Sequence, residues 1–219
     1  MNADDERHSR AFDAELIRDP VELAKREARN GLRQFDAVVE IIDYWLQPDV
    51  VFRLRIRDIL HLHRIALDGI SHYAGNFRPA GIEIQGSKHM PVGAHLVPGE
   101  VEDLCDYVNA NGDKSPLHLA AWVLWRLNWI HPFTDGNGRT ARAISYFVLC
   151  VRLGYRLPGR SSLPDLLARN KQPYYDALEQ ADAQHLNGKL DVSAMEGLLS
   201  DLLAKQLLSV HQSATGEVR

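Results

Sequence analysis

The spacing of apolar residues is the feature that most constrains this fold, because it is helical along most of the chain. Between residues 32 and 46 the apolar positions fall three or four apart, at Leu32, Phe35, Val38, Val39, Ile42 and Trp45. That spacing puts them on one face of a helix. Further helices are expected over 55–70, 101–110, 116–130, 138–155, 163–170, 173–183 and 192–208. The sequence therefore predicts one all-α domain, with no internal repeat that would divide it.

Capping residues predict where the first helix begins and ends. Asp19, Pro20 and Glu22 form a typical start, with a capping carboxylate, a proline in the first turn and an acidic residue near the helix N-terminus. The pair Asn30 and Gly31 predicts a stop or a break, because both residues commonly follow the last turn of a helix.

The segment 75–98, which we call the flap, departs from the helical pattern. Glycines and prolines punctuate it, and Ile82 and Ile84 alternate with polar neighbours in the stretch GIEIQG. Alternation of this kind is typical of a strand. We predict a small β-hairpin here, on the surface of the helical core.

Composition narrows the function classes. The 219 residues carry a formal net charge of −4, whereas nucleic-acid-binding domains usually have a basic excess. The most apolar stretch, 119–130, is interrupted by Arg126 and Asn128 and is too short to span a bilayer. Cys105 and Cys150 are the only cysteines, which favours buried thiols in a cytoplasmic protein over a disulfide. We therefore expect a cytoplasmic protein that binds neither nucleic acid nor membrane.

One short stretch, HPFTDGNGRTAR at 131–142, holds most of the candidate chemistry. Gly136 and Gly138 let the backbone approach a ligand closely, because they have no Cβ. They lead into a helix N-terminus, where free N–H groups and the helix dipole favour an anion. Arg139 and Arg142 are three apart and share a face of that helix. Amide and guanidinium groups together predict a phosphate site.

Two further side chains of this stretch suit catalysis at phosphorus. Asp135 is a single carboxylate beside the predicted phosphates, which is how Mg²⁺ is usually held, since the metal takes its other ligands from water and substrate. His131 suits a general base for an attacking hydroxyl. Taken alone, DGNG is equally an ordinary turn. It is neither an EF-hand, which needs a closing glutamate, nor a P-loop, which needs a Lys-Ser/Thr pair.

The stretch resembles the signature of the Fic (filamentation induced by cAMP) family, His-x-Phe-x-Asp/Glu-Gly-Asn-Gly-Arg-x-x-Arg, at every defined position. YAGNFRP and HLVP resemble the family's flap region, and the resemblance covers roughly residues 20–205. It implies the Fic fold, a helical core with a small β-hairpin flap over the active site. It also implies a protein adenylyltransferase, which transfers AMP from ATP to a Ser, Thr or Tyr hydroxyl of a target protein and releases pyrophosphate.

The resemblance assigns roles to the side chains of the motif. His131 would deprotonate the target hydroxyl, and Asp135 would bind Mg²⁺ between the α- and β-phosphates of ATP. Arg139 and Arg142 would hold the β- and γ-phosphates. Phe133 would anchor the loop in the core.

The Gly-Asn-Gly backbone is implied to form the anion hole. Gly136, Asn137 and Gly138 would supply its amides, with the Asn137 side chain on the α-phosphate. Because family members that phosphorylate their targets carry lysine at position 138, Gly138 favours adenylylation.

Outside the motif the resemblance implies roles for two pairs of residues. The family's flap docks the target segment by strand addition, which makes Ile82 and Ile84 candidates to clamp the modified side chain. Packing within the hairpin is the alternative. Tyr174 and Tyr175 are candidates to line the adenine pocket, with ordinary helix packing as the alternative.

Many members of this family are restrained by a helix with Ser/Thr-x-x-x-Glu-Gly/Asn, whose glutamate pairs with the second arginine of the motif. Glu27 is the candidate inhibitory residue here, although Leu23 and Ala28 depart from that pattern. A solvated residue on a charged helix face is the alternative, and restraint by a separate antitoxin protein also stays open. A homodimer is a further open possibility.

The predicted organisation is a flexible segment at 1–19, a Fic domain at 20–209 with a candidate inhibitory helix at 20–31, and a flexible tail at 210–219. ATP is the expected co-substrate and Mg²⁺ the expected cofactor. Two alternatives to adenylyl transfer stay open. One is a regulator that binds ATP without turnover, and the other is a Fic enzyme that transfers another group, such as UMP or phosphocholine.

Overall fold

The computed structural model describes residues 14–159 and 161–215, with the backbone alone at residue 213. Eight α-helices make up these residues: α1 (Pro20–Trp45), α2 (Ile56–Ala66), α3 (Val97–Ala110), α4 (Pro116–Ile130), α5 (Asn137–Leu153), α6 (Leu163–Arg169), α7 (Lys171–Leu186) and α8 (Ser193–Thr215). A short 3-10 helix, Ala94–Leu96, precedes α3. The one β-bridge within these residues joins Glu15 to Ser71. The prediction of an all-α fold is confirmed.

Helices α4 and α5 form the centre of the core. The helices α1 and α2 pack on α5, while α3, α7 and α8 pack on α4. Because neighbours surround them, α4 and α5 bury apolar side chains on several faces rather than on one stripe. The candidate motif links these two helices, since α4 ends at residue 130 and α5 begins at residue 137. The site is therefore attached to the best-packed part of the molecule.

Helix α1 begins as predicted but does not break where predicted. The Asp19 carboxylate accepts a hydrogen bond from the Glu22 N–H (2.7 Å), which confirms the cap. Asn30 lies within the helix, and its side-chain amide donates to the carbonyls of Ala66 (3.2 Å) and Asp68 (2.8 Å). The predicted stop is wrong because the Asn30 side chain joins α1 to the end of α2 instead of capping its own helix.

The ends of the described chain differ from the predicted flexible segments. The Leu16 N–H donates to the Ile70 carbonyl (2.9 Å), so residues 14–16 lie against the turn after α2. Helix α8 continues past the predicted boundary at residue 209. The remaining parts of the two predicted segments, 1–13 and 216–219, lie outside the described residues.

The flap is not the β-hairpin that we predicted, since residues 75–98 contain no strand. The alternation that suggested a strand is real, because Ile82 and Ile84 are half-buried between exposed neighbours. However, several polar contacts of the flap go to the helical core rather than to a second strand. The His89 Nε2 donates to the Trp129 carbonyl (2.7 Å), near the end of α4.

Arg78 holds both ends of the flap to the core. Its side chain is 3% exposed and donates to the carbonyls of His131 (2.8 Å), Ala80 (2.9 Å) and Val92. Its own N–H donates to the Pro132 carbonyl (2.9 Å). A single buried guanidinium therefore takes the place of the cross-strand hydrogen bonds that a hairpin would have.

Two further expectations bear on the class of protein. Cys105 and Cys150 are both free and buried, as predicted. No helix in the described part of the chain is both long enough and apolar enough to cross a bilayer.

Candidate active site

The motif begins where α4 ends. His131 is the C-cap residue of α4 and has a left-handed backbone, with φ of 51°. A non-glycine residue in this conformation costs about 1–3 kcal/mol and persists only where its surroundings fix it. The His131 N–H donates to the Leu127 carbonyl (3.0 Å), and the His131 carbonyl accepts from Arg78 Nε (2.8 Å). The imidazole is therefore held at a sharp turn between the two central helices.

The His131 imidazole has the protonation state of a general base. Its Nδ1 lies 3.3 Å from the Asn128 carbonyl, and a carbonyl can only accept a hydrogen bond. Nδ1 therefore carries the proton, which leaves the Nε2 lone pair available. Burial lowers the pKa of His131 below its usual 6.5, and the nearby Arg78 charge acts in the same direction. The ring is consequently neutral at neutral pH.

Phe133 and Asn137 close the link between the helices. The Phe133 ring is fully buried, as predicted for an anchor. Its N–H donates to Asn137 Oδ1 (2.9 Å), and its carbonyl accepts from Asn137 Nδ2 (2.8 Å). The structure thus places the Asn137 side chain inside the loop, where it is 5% exposed. Its predicted contact with a phosphate stays a prediction, whereas its part in shaping the loop is visible.

Helix α5 begins at a crowded glycine. Gly136 caps the helix with φ of 77°, and a Cβ there would lie 2.4 Å from Leu67 Cδ2. The Thr140 N–H makes the first helical hydrogen bond, to the Gly136 carbonyl (2.9 Å). The preceding amides of residues 137–139 have no carbonyl one turn back within α5. They form the kind of helix N-terminus that binds anions, whereas the Gly136 N–H, which was also assigned to the anion hole, donates to Asp135 Oδ1.

Asp135, Arg139 and Glu27 form a continuous chain of ion pairs. Arg139 Nη2 lies 2.8 Å from Asp135 Oδ2, and Arg139 Nη1 lies 3.0 Å from Glu27 Oε1. The other oxygen of Asp135 accepts from the Gly136 N–H (2.5 Å). Since Glu27 lies on α1, the chain joins α1 to the motif. The inhibitory pattern places the glutamate on the second arginine, but here it pairs with the first.

Arg142, the second arginine, is half-buried and available. It makes no hydrogen bond or ion pair with another residue in the described ranges. Burial lowers the pKa of its guanidinium. Arg139 and Arg142 line a cavity of about 530 Å³ between α1, α5 and α6. The other lining residues are mostly apolar and include Leu32, Phe35, Val38, Ala143, Tyr146 and Ala168.

The donor set fits Mg²⁺ bound together with a phosphate ligand. The side chain of Asp135 is 59% exposed, and one carboxylate is the usual protein share of a magnesium site that takes phosphate oxygens and water as its other ligands. No cluster of three His, Cys, Asp or Glu residues in the described ranges could hold a metal without such help. Asp135 is therefore the residue that would hold Mg²⁺.

The two tyrosines of α7 differ in their surroundings. Tyr174 is 2% exposed, and its hydroxyl accepts from Asn128 Nδ2 (2.7 Å). For Tyr174 the structure therefore agrees with the alternative of ordinary helix packing. Tyr175 is 46% exposed and remains the candidate for the adenine pocket. Neither tyrosine lines the cavity beside Arg142.

His63 is a site residue that the sequence did not reveal. It bonds to the Asp135 carbonyl (3.0 Å) and stacks on Phe133. Burial lowers its pKa to about 4, so it is neutral at neutral pH. The only sequence signal was its position, since it shares the buried face of α2 with Ile59 and Leu62.

Comparison with known families and proteins finds relatives that match the part of the chain containing the motif. Residues 53–149 match the model of the Fic/DOC family. Protein adenylyltransferase fic-1 of Caenorhabditis briggsae is 28% identical over 158 residues, which is 70% of this chain and 29% of that protein. Protein adenylyltransferase Fic of Drosophila willistoni is 37% identical over 109 residues, which is 47% of this chain and 20% of that protein. This chain therefore spans less than a third of the length of these curated relatives.

Solved structures share the fold. A Fic family protein from Desulfovibrio desulfuricans G20 has a TM-score of 0.68 at 22% identity, covering 93% of this chain and 56% of that chain. Fic-1 from C. elegans has a TM-score of 0.64 at 25% identity, covering 85% of this chain and 52% of that chain. The family match includes the link and most of α5, and both solved folds extend over nearly all the helices around it. We conclude that this chain matches the Fic/DOC family over residues 53–149 and shares the fold of the Fic family structures.

Proposed function

We propose that this chain is a protein adenylyltransferase, which transfers AMP from ATP to a Ser, Thr or Tyr hydroxyl of a target protein. The observation that carries the proposal is the arrangement at the start of α5. A neutral histidine, one exposed carboxylate and two arginines surround a helix N-terminus with amides suited to an anion. The printed names of the curated relatives, protein adenylyltransferases, support the same activity.

Each group of the site has its own role in the proposed reaction. The amides at the start of α5 bind the α-phosphate, while Arg139 and Arg142 bind the β- and γ-phosphates. His131 Nε2 removes the proton from the target hydroxyl, whose oxygen attacks the α-phosphorus. The bond from that phosphorus to the bridging oxygen breaks, and pyrophosphate leaves with the electron pair. Asp135 would hold Mg²⁺, which would supply positive charge to offset the charge developing on the phosphates.

The flap and Tyr175 complete the proposed enzyme. Ile82 and Ile84 are half-buried, lie outside the main apolar cluster and flank the exposed residue Glu83. They would receive the target segment on the surface that the flap presents. Tyr175 would lie beside the adenine ring. Gly138 supports the transfer of AMP rather than a phosphoryl group.

The test compares ATP labelled in the α-phosphate with ATP labelled in the γ-phosphate, each with Mg²⁺ and a cell lysate. Relative to the lysate without this protein, we expect added protein-bound label from the α-labelled nucleotide alone. Added label from the γ-phosphate would contradict adenylyl transfer and indicate phosphorylation. Nucleotide binding without any label would favour a regulator that binds ATP. Label from UTP or CDP-choline, but not from ATP, would indicate a different transferred group.

We also propose that Glu27 restrains the enzyme by occupying Arg139. A partly exposed ion pair contributes about 0–1 kcal/mol, and the Glu27 side chain is 42% exposed. Glu27→Gln should therefore strengthen the apparent affinity for ATP by up to about fivefold. Calorimetric titration with ATP and Mg²⁺ measures this change.

Glu40→Gln is the matched control for Glu27→Gln, because Glu40 is exposed on the same helix and no described residue pairs with it. It should leave the affinity unchanged. If Glu27→Gln behaves like Glu40→Gln, the pair with Arg139 does not restrain nucleotide binding.

A further inference from the structure

His63 reaches the catalytic link from a helix outside the motif. It lies on α2 and is 1% exposed. Its Nδ1 accepts a hydrogen bond from the Gly75 N–H (2.9 Å), and its Nε2 lies 3.0 Å from the Asp135 carbonyl. An amide N–H can only donate and a carbonyl can only accept. One neutral tautomer, with the proton on Nε2, therefore satisfies both contacts.

The group that His63 orients is the peptide between Asp135 and Gly136. Its carbonyl accepts from His63 Nε2, and its N–H donates to Asp135 Oδ1 (2.5 Å). Because a peptide unit is planar, fixing the carbonyl on one side also directs the N–H on the other side. His63 thus acts on the Asp135 carboxylate through this peptide plane.

The His63 ring itself has little room to move. It stacks on Phe133 with 3.6 Å between ring centroids and an angle of 6° between planes. Its Cδ2 lies 3.4 Å from the position that a Cβ on Gly136 would occupy. The ring is consequently in contact with the link on its face and along its edge, while Gly75 joins it to the start of the flap.

We propose that His63 is a positioning residue, which holds the Asp135 carboxylate in the orientation that binds Mg²⁺ with ATP. The inference rests on the proposed function, because that reaction is what gives Asp135 a metal to hold. Hydrogen-bonding partners behind a metal ligand typically change metal affinity by about 10- to 100-fold. An effect of that size separates His63 from a residue that merely fills space.

Three variants separate the two hydrogen bonds from the stacking. His63→Phe keeps a planar ring against Phe133 and removes both hydrogen bonds. His63→Asn keeps an acceptor near the Nδ1 position for Gly75 and loses the donor to Asp135. His63→Gln places an N–H donor near the Nε2 position. His61→Phe is the matched control, since His61 is exposed on the same helix.

The measurement is the calorimetric affinity for a non-hydrolysable ATP analogue, in a Mg²⁺ series and in excess chelator. We expect His63→Phe and His63→Asn to weaken the Mg²⁺-dependent affinity about 10- to 100-fold. His63→Gln and His61→Phe should stay near the wild type. The affinity measured in chelator should be the same for all five proteins, counting the wild type. If His63→Phe does not fold, the comparison of His63→Asn with His63→Gln decides the question.

Two results would overturn the proposal while leaving the proposed function in place. One is the same Mg²⁺ dependence in His63→Asn and the wild type. The other is an equal loss of affinity with and without Mg²⁺, together with a lower melting temperature, which would assign His63 to stability alone. If the wild type itself fails to bind the analogue with Mg²⁺, the proposed function fails, and the role of His63 in it fails as well.

Discussion

In the proposed enzyme, replacement of His131 by alanine will slow AMP transfer about 10²–10⁴-fold and leave nucleotide binding intact. A positioned general base contributes about 10²–10⁴-fold to the rate, and the structure offers the Nε2 lone pair of a neutral His131 for that purpose. The phosphates would be held by the start of α5 and by the arginines, which the change does not touch. Transfer of α-phosphate label measures the rate, and calorimetry measures the retained affinity.

His61→Ala is the control for His131→Ala, because His61 is exposed on α2. It should transfer label at the wild-type rate. A His131→Ala protein that keeps more than about a tenth of the wild-type rate would exclude His131 as the general base.

The dependence of kcat/KM on pH tests the role of His131 as the base in the wild-type protein. A base works in its neutral form, so kcat/KM should stay level above the pKa of His131 and fall as the pH drops through it. Burial holds that pKa below the usual 6.5. The acid limb of the profile should therefore lie below pH 6.5. An acid limb at a higher pH would contradict the assignment of His131.

Gly136→Ala will have the second large effect, on stability as well as on activity. Alanine at φ of 77° is strained by about 1–3 kcal/mol. The added Cβ would also lie 2.4 Å from Leu67 Cδ2, and overpacking of this kind costs about a further 1–3 kcal/mol. Urea denaturation should show the fall in the free energy of unfolding, and MgATP affinity should fall because the start of α5 must shift.

The other end of the same helix provides the control for Gly136→Ala. Gly154 caps the C-terminus of α5 with φ of 82°, and a Cβ there would meet nothing within 4 Å. Gly154→Ala therefore reports the strain without the clash. Leu67→Ala lowers stability by itself because Leu67 is 1% exposed, so the double variant Gly136→Ala with Leu67→Ala should lose less stability than the sum of the two single losses. Equal losses in the two glycine variants would mean that the approach of Leu67 does not constrain residue 136.

Local signals predicted the helices and the motif well, because their causes are close in sequence. The N-terminus of α1 depends on Asp19 and Glu22, three residues apart, and the cap was predicted correctly. The link from His131 to α5 is similarly short, so its glycines and arginines could be interpreted together. For such features, the residues that determine the structure lie within a few positions of each other in the sequence.

The failures share a different cause, which is a partner far along the chain. Asn30 continues α1 because its side chain bonds to the carbonyls of Ala66 and Asp68. The flap lacks strands, and several of its polar contacts go instead to Arg78 and to the end of α4. His63 resembles any other helical histidine until the fold brings Asp135 to it. No pattern within a short window reports contacts of this kind.

The guanidinium of Arg78 has a practical consequence for redesign. It touches the backbone at both ends of the flap and the carbonyl of His131. In the proposed enzyme, the conformation of the flap that recognises the target and the position of the His131 base therefore both depend on Arg78. A change in one will change the other. Grafting a flap from a relative to change the target would succeed only if the cuts lie outside residues 78–92, so that the graft brings its own arginine and both of its carbonyl partners. Shorter grafts would alter the turnover rate together with the specificity.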